Sequence, residues 1–97
     1  MLNQNRMEER VARGVMRILV NAIDICVAQR KLGKRIAFAE FIEVSENVFT
    51  KATNQLTPIT LSEMWQWLYQ IRQLSEVAYI YAIKEIIGDQ SLEIKCC

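Results

Sequence analysis

The sequence predicts an all-α fold, a small helical bundle with long N- and C-terminal helices and shorter helical stretches between them. Three observations predict it. Glycine (3) and proline (1) are scarce in 97 residues, so helices have few breaks and a β fold would lack its turn residues. Apolar residues recur at spacings of three and four in three separate segments. Each segment is bounded by helix start or stop signals. A chain of this length makes one domain. We place it at residues 1–88, with residues 89–97 as a C-terminal tail.

The first segment runs from about Gln4 to Leu32. Val11, Val15, Ile18, Ala22 and Ile25 form one apolar stripe, with Leu19, Ile23 and Cys26 beside it. Gly33 follows the last periodic residue, with Arg30 and Lys31 in the last turn, and this predicts the stop there. Gly14 costs about 1 kcal/mol relative to Ala inside a helix, marking a bend or a start.

The second segment, Ile36–Gln55, carries Phe38, Phe41, Ile42, Val44, Val48 and Phe49. It reads either as one helix or as two short helices broken near Glu43–Ser45, where Ser45 is a good N-cap. Asn54, Thr57 and Pro58 then mark a loop. The third segment opens on Thr60, with Glu63 three residues on, a capping box. One long helix is expected from there to Ile87, stopped by Gly88. Its second half, Val77–Ile83, is apolar nearly all round, which requires burial on more than one side.

Composition narrows the function. The chain is 52% hydrophobic, yet so short a chain buries only about two-thirds or less of its unfolded surface. The excess points to an apolar face shared with a partner, most simply a second copy, and Tyr79, Ile80, Ile83 and Ile87 are its predicted dimerisation residues. The longest fully apolar run is far short of the roughly 20 residues that span a bilayer, so no membrane partner is expected. Cys26, Cys96 and Cys97 make an odd count without a secretory segment, which argues for a reducing cytoplasm.

Catalysis is poorly supported, so no enzyme is expected. There is no histidine, no glycine-rich phosphate loop and no nucleophile elbow, and no cofactor or metal is expected. Glu40, Glu43 and Glu46 recur every three residues and would share one solvated helix face. Trp65, Trp67 and Tyr69 are aromatic enough to stack on bases, but their helical spacing reads first as core and interface.

The net charge of +1 is unevenly placed. Residues 1–35 hold 8 Lys/Arg against 3 Asp/Glu, and residues 36–97 hold 4 against 8. Arg6, Arg10, Arg13 and Arg17 fall on one helix face. Arg30, Lys31, Lys34 and Arg35 cluster just before the second segment. Such groups suit a polyanion, and phosphate contacts in particular.

Between residues 39 and 60 stand Ala39, Val44, Ser45, Phe49, Asn54 and Pro58-Ile59-Thr60. This arrangement resembles the helix-turn-helix of the Cro and phage-repressor family, and within it the small antitoxin-type repressors. A small Ala lets two short helices cross closely, Val44 would be the buried apolar residue of the turn, and Ser45 and Thr60 would cap the helices that follow. Three positions depart from the family pattern. Glu43 stands where Gly is preferred because φ is often positive, Gln55 replaces a second Gly, and Ala52 replaces a bulky apolar residue.

The resemblance implies a helix-turn-helix at residues 36–60 in the centre of the all-α bundle. It further implies a DNA-binding transcriptional regulator, a repressor acting as a homodimer on double-stranded DNA. The recognition helix would run from about Ser45 to Thr53, presenting Ser45, Glu46, Asn47, Thr50 and Lys51 to base edges. Lys34, Arg35, Arg6, Arg10, Arg13 and Arg17 would hold phosphates. The alternative is a non-enzymatic helical protein–protein interaction module, an adaptor or inhibitor with a degenerate or absent DNA-binding motif. In that case residues 36–55 form one unbroken helix.

Overall fold

The computed structural model describes residues 7–88, whose regular structure is entirely helical, without a strand among them. Five α-helices follow in order: α1 (Glu9–Ala28), α2 (Phe38–Phe41, entered through a 3-10 turn at Arg35–Ala37), α3 (Glu46–Gln55), α4 (Leu61–Leu74) and α5 (Glu76–Gly88). None is long and apolar enough to cross a membrane. The predicted tail at 89–97, with Cys96 and Cys97, and Arg6 lie outside the described residues.

α1 starts where the Glu8 carboxylate accepts from the Val11 N–H at 3.3 Å, satisfying one of the free first-turn amides. The helix runs on through Gly14. It ends earlier than the expected stop at Gly33. The chain turns at Arg30, whose φ is 63°. The Arg30 N–H then donates to Val27 C=O and the Lys31 N–H to Cys26 C=O, at 2.9 and 2.8 Å. These two bonds are a Schellman end, and a non-glycine residue incurs steric strain to make it.

α1, α4 and α5 pack as a three-helix bundle. Leu19, Ile23, Ala22, Ile71, Ala78 and Ala82 are fully shielded from solvent. Ala78, Ala82 and Ile86 fall at i, i+4 and i+8 on α5, and the two alanines let its backbone approach its neighbours closely. Cys26 is also buried, as its place in the apolar stripe implied. Burial pushes its thiol pKa up, partly offset by Lys31, so the neutral thiol is favoured there.

The expected long C-terminal helix is two helices. The break is at Ser75, an extended residue (φ −156°, ψ 113°). Its N–H closes α4 onto Ile71 C=O at 2.8 Å. Its Oγ accepts from the Ala78 N–H at 3.1 Å, capping α5, and donates to Gln29 Oε1 beyond the end of α1. A buried serine with all of its polar atoms engaged makes the corner stable. At the other end of α4, the Thr60–Glu63 capping box is present as expected.

Candidate nucleic-acid interface

The second segment is broken, not continuous. α2 ends at Phe41, and α3 begins at Glu46 behind an extended Ser45 whose Oγ accepts from the Val48 N–H at 3.2 Å. Glu43 carries the turn with a φ of 57°. Its N–H donates to Glu40 C=O at 3.3 Å, and the Val44 N–H donates to Ala39 C=O at 3.2 Å. This is a second Schellman end, and Glu43 sits at the position that glycine suits best. A third left-handed residue, Leu56 (φ 49°), ends α3, with the Thr57 N–H on Ala52 C=O at 2.9 Å. The second strained position is thus Leu56 and not Gln55, which was the expected glycine site. Gln55 instead closes α3 as its last residue.

The turn's buried apolar residue is Ile42, 3% exposed, whereas Val44 is 36% exposed. The residue after the left-handed one often packs back on the helix it ends, but that place is taken by Ile42 and Val44 is left at the surface. Ala39 is buried, as a close helix crossing requires. Beneath the unit, Phe38, Phe49 and Trp67 form an aromatic cluster. The Trp67 ring lies 5.7 Å from each phenylalanine centroid, and Phe41 stacks on Phe38 at 6.2 Å. Thr53, the one buried polar residue of α3, donates its hydroxyl to Phe49 C=O at 3.0 Å.

Two arginines fasten this unit to α1. Arg13 donates to the carbonyls of Gln55 and Leu56 at 3.2 and 3.0 Å, meeting the free carbonyls at the C-terminus of α3, where a cation is favoured. It also pairs with Glu9 at 2.9 Å. Arg35 makes a two-pronged ion pair with Asp24, at 2.9 and 2.8 Å. Asp24's hydrogen bond holds the Arg35 pKa above its ordinary value. Arg13 and Asp24 are eleven residues apart on α1, about three turns, so both clamps use one face of that helix, some 16 Å apart.

The predicted site residues divide accordingly. Ser45, Glu46, Asn47, Thr50 and Lys51 are all exposed on or at the start of α3, and they form one outward face. Lys34 is exposed before α2, and Arg10 and Arg17 are exposed on α1. Arg17 also lines a shallow groove with Asn21, Tyr81 and Lys84. Arg13 and Arg35 use donors on the fold itself. Glu40, Glu43 and Glu46 do not share a helix face, since they lie in α2, the turn and α3. Of the dimerisation residues, Ile80 and Ile87 are exposed, and Tyr79 and Ile83 are partly buried. Trp67 is core, but Trp65 (53%) and Tyr69 (59%) are exposed.

Sequence reasoning had not placed Phe41 and Val48 at the surface, yet they are 41% and 57% exposed. Their i, i+7 spacing reads as one buried helix face, but the turn between α2 and α3 separates them. No family model matches the chain, and neither a curated protein nor a solved structure matches it.

Proposed function

We propose that the chain is a DNA-binding regulator that works as a homodimer, with α3 as its recognition helix. The observation that carries this reading is the turn between α2 and α3. A left-handed Glu43, a Ser45 cap and a buried Ala39 set two short helices at an angle and leave the face of Asn47, Thr50 and Lys51 open. Asn reads adenine in the major groove, Lys reads guanine or phosphate, and Val48 offers methyl groups to thymine. Lys34, Arg10 and Arg17 are the cations free to meet phosphate, while Arg13 and Arg35 position α3. A two-fold dimer would place two recognition helices about one helical turn of DNA apart.

The test is a mobility shift at moderate salt, against the region upstream of the protein's own gene and against a random-site library. The expected result is a selected sequence with two half-sites. Asn47→Ala should weaken that binding by about 10- to 100-fold and relax one position of the site, leaving non-specific binding in place. Absence of any selected sequence overturns the reading.

One observation favours a second reading. Glu40, Phe41, Glu43, Val44, Glu46 and Val48 are all exposed and alternate acid with apolar residues. Carboxylates are repelled by phosphate, and such a strip suits the basic, apolar face of a protein partner. Phe41→Ser with Val48→Ser separates the two. It leaves DNA selection intact under the first reading, except at the base that Val48 touches.

A further inference from the structure

One ridge of α5 stands exposed and carries both signs of charge. Glu76, Ile80 and Lys84 stand at i, i+4 and i+8, one continuous ridge of the helix surface, and all three are exposed. The ridge reads acid, apolar, base, with the apolar residue at its midpoint. Val77 and Ile83 flank Ile80 at equal distances in sequence. Val77 is 59% exposed and Ile80 48% exposed, and Ile83 is partly buried.

We propose that two copies of the chain pair through antiparallel α5 helices about a two-fold axis next to Ile80. A two-fold interface brings each residue against its symmetric counterpart. Antiparallel pairing about Ile80 sets Glu76 against the partner's Lys84 and Lys84 against the partner's Glu76, with the Ile80 side chains meeting between them. Parallel pairing would set Glu76 on Glu76 and Lys84 on Lys84. Packing the i, i+4 ridges of two helices together also fixes a crossing angle of about 50°. Tyr79 takes a smaller part than its sequence position implied, because the Arg72 guanidinium covers its ring at 5.4 Å from the centroid. The proposal rests on the homodimer half of the function reading and not on DNA binding.

The experiment is sedimentation equilibrium on the full chain and on two charge variants, Glu76→Lys and Lys84→Glu, alone and mixed one to one. Each variant alone faces like charges at both ends of the ridge, so its dimer should weaken by roughly tenfold or more. The mixture should recover the unaltered chain's affinity. One variant then carries lysine at both ends of its ridge and the other glutamate at both ends, so every facing pair is again opposite in charge. That recovery also shows that neither variant has simply lost its fold. A direct readout is Ile80→Cys in a Cys96→Ser, Cys97→Ser background. Facing Cα atoms on crossing helices come within about 4–7 Å, inside disulfide range, so this variant should cross-link to itself under mild oxidation, while Val77→Cys should not. Variants that dimerise as well as the unaltered chain, or a mixture that stays weak, overturn the α5 geometry and leave the homodimer reading standing. An unaltered chain that remains monomeric at high micromolar concentration overturns both.

Discussion

The bundle of α1, α4 and α5 and the shorter α2–α3 unit differ in what holds them. The bundle is aliphatic and small-residue: Leu19, Ile23, Ala22, Ile71, Ala78 and Ala82 interlock without exposure, and its helices are 13 to 20 residues long. The α2–α3 unit has helices of 4 and 10 residues, too short to hold shape alone. It rests on three aromatic rings and two arginine clamps, and two of the three left-handed non-glycine residues among the described residues belong to it. A stiff scaffold thus carries a smaller, more strained unit that presents most of the candidate reading surface. The difference teaches that the unit's orientation is set by tertiary contacts more than by its own helices.

The largest effect is expected where the two regions meet. Trp67 belongs to α4 but fills the space under Phe38 and Phe49. Trp67→Ala should cost about 3–5 kcal/mol, seen as a lowered urea midpoint, and helical content should fall in both regions together. Leu19→Ala, wholly inside the bundle, should cost about 2–5 kcal/mol by the same mechanism. A Trp67→Ala protein that loses under about 1 kcal/mol, well below the usual cost of such a cavity, would show that the α2–α3 unit is not seated on the aromatic cluster, and the comparison would fail.

The next effect tests the corner of the bundle. Ser75→Ala removes the cap of α5 and leaves Gln29 without its partner, so a loss of about 1–2 kcal/mol is expected in thermal or urea unfolding. Ser75→Thr should restore part of it. An unchanged midpoint would mean that α4 and α5 are separated by packing alone.

How much of this was legible in the sequence depends on how local each cause was. The capping box at Thr60 and Glu63 and the Ser45 cap depend on neighbours within four residues, and both are legible in the sequence. The resemblance marked Glu43 as a position that prefers glycine, and its φ of 57° has that character. The Ser75 corner was missed because its partner Gln29 lies 46 residues away, while the apolar run around it reads as unbroken helix. The stop at Gly33 was misplaced because Arg30 accepted a left-handed conformation that glycine would have signalled. Arg13 was assigned to phosphate, since nothing local ties it to carbonyls more than 40 residues on.

A smaller effect has the opposite sign. Glu43→Gly relieves the left-handed penalty that a β-carbon incurs in the turn, and should stabilise the protein by about 1 kcal/mol. Leu56→Gly relieves the same strain but gives up partly buried side-chain packing, so its gain should be less. Both changes act within the α2–α3 unit, so amide exchange should slow in residues 39–56 and stay unchanged in the core of α1. A destabilised Glu43→Gly protein would show that the carboxylate makes a stabilising contact that outweighs the strain.

The smallest effect separates positioning from phosphate binding. Arg13 is about half exposed, and screening holds its contribution to α3 below about 1 kcal/mol. Arg13→Ala should therefore barely move the global midpoint, yet it frees the last carbonyls of α3. Amide exchange should quicken at the end of that helix, around Ala52 to Thr57, and nowhere in α4 or α5. Arg10→Ala is the matched comparison, because Arg10 lies on the same helix face without a clamp. Under the proposed DNA-binding function, if Arg13 chiefly positions α3, its loss should weaken selected and non-specific DNA unequally, blurring the site more than it lowers the salt dependence. If it chiefly contacts phosphate, its loss should behave like that of Arg10: uniformly weaker binding and a salt slope reduced by about one ion. The clamp to Gln55 and Leu56 leads us to expect the first pattern for Arg13 and the second for Arg10, and two identical profiles would remove the distinction between the strained unit and its scaffold at this contact.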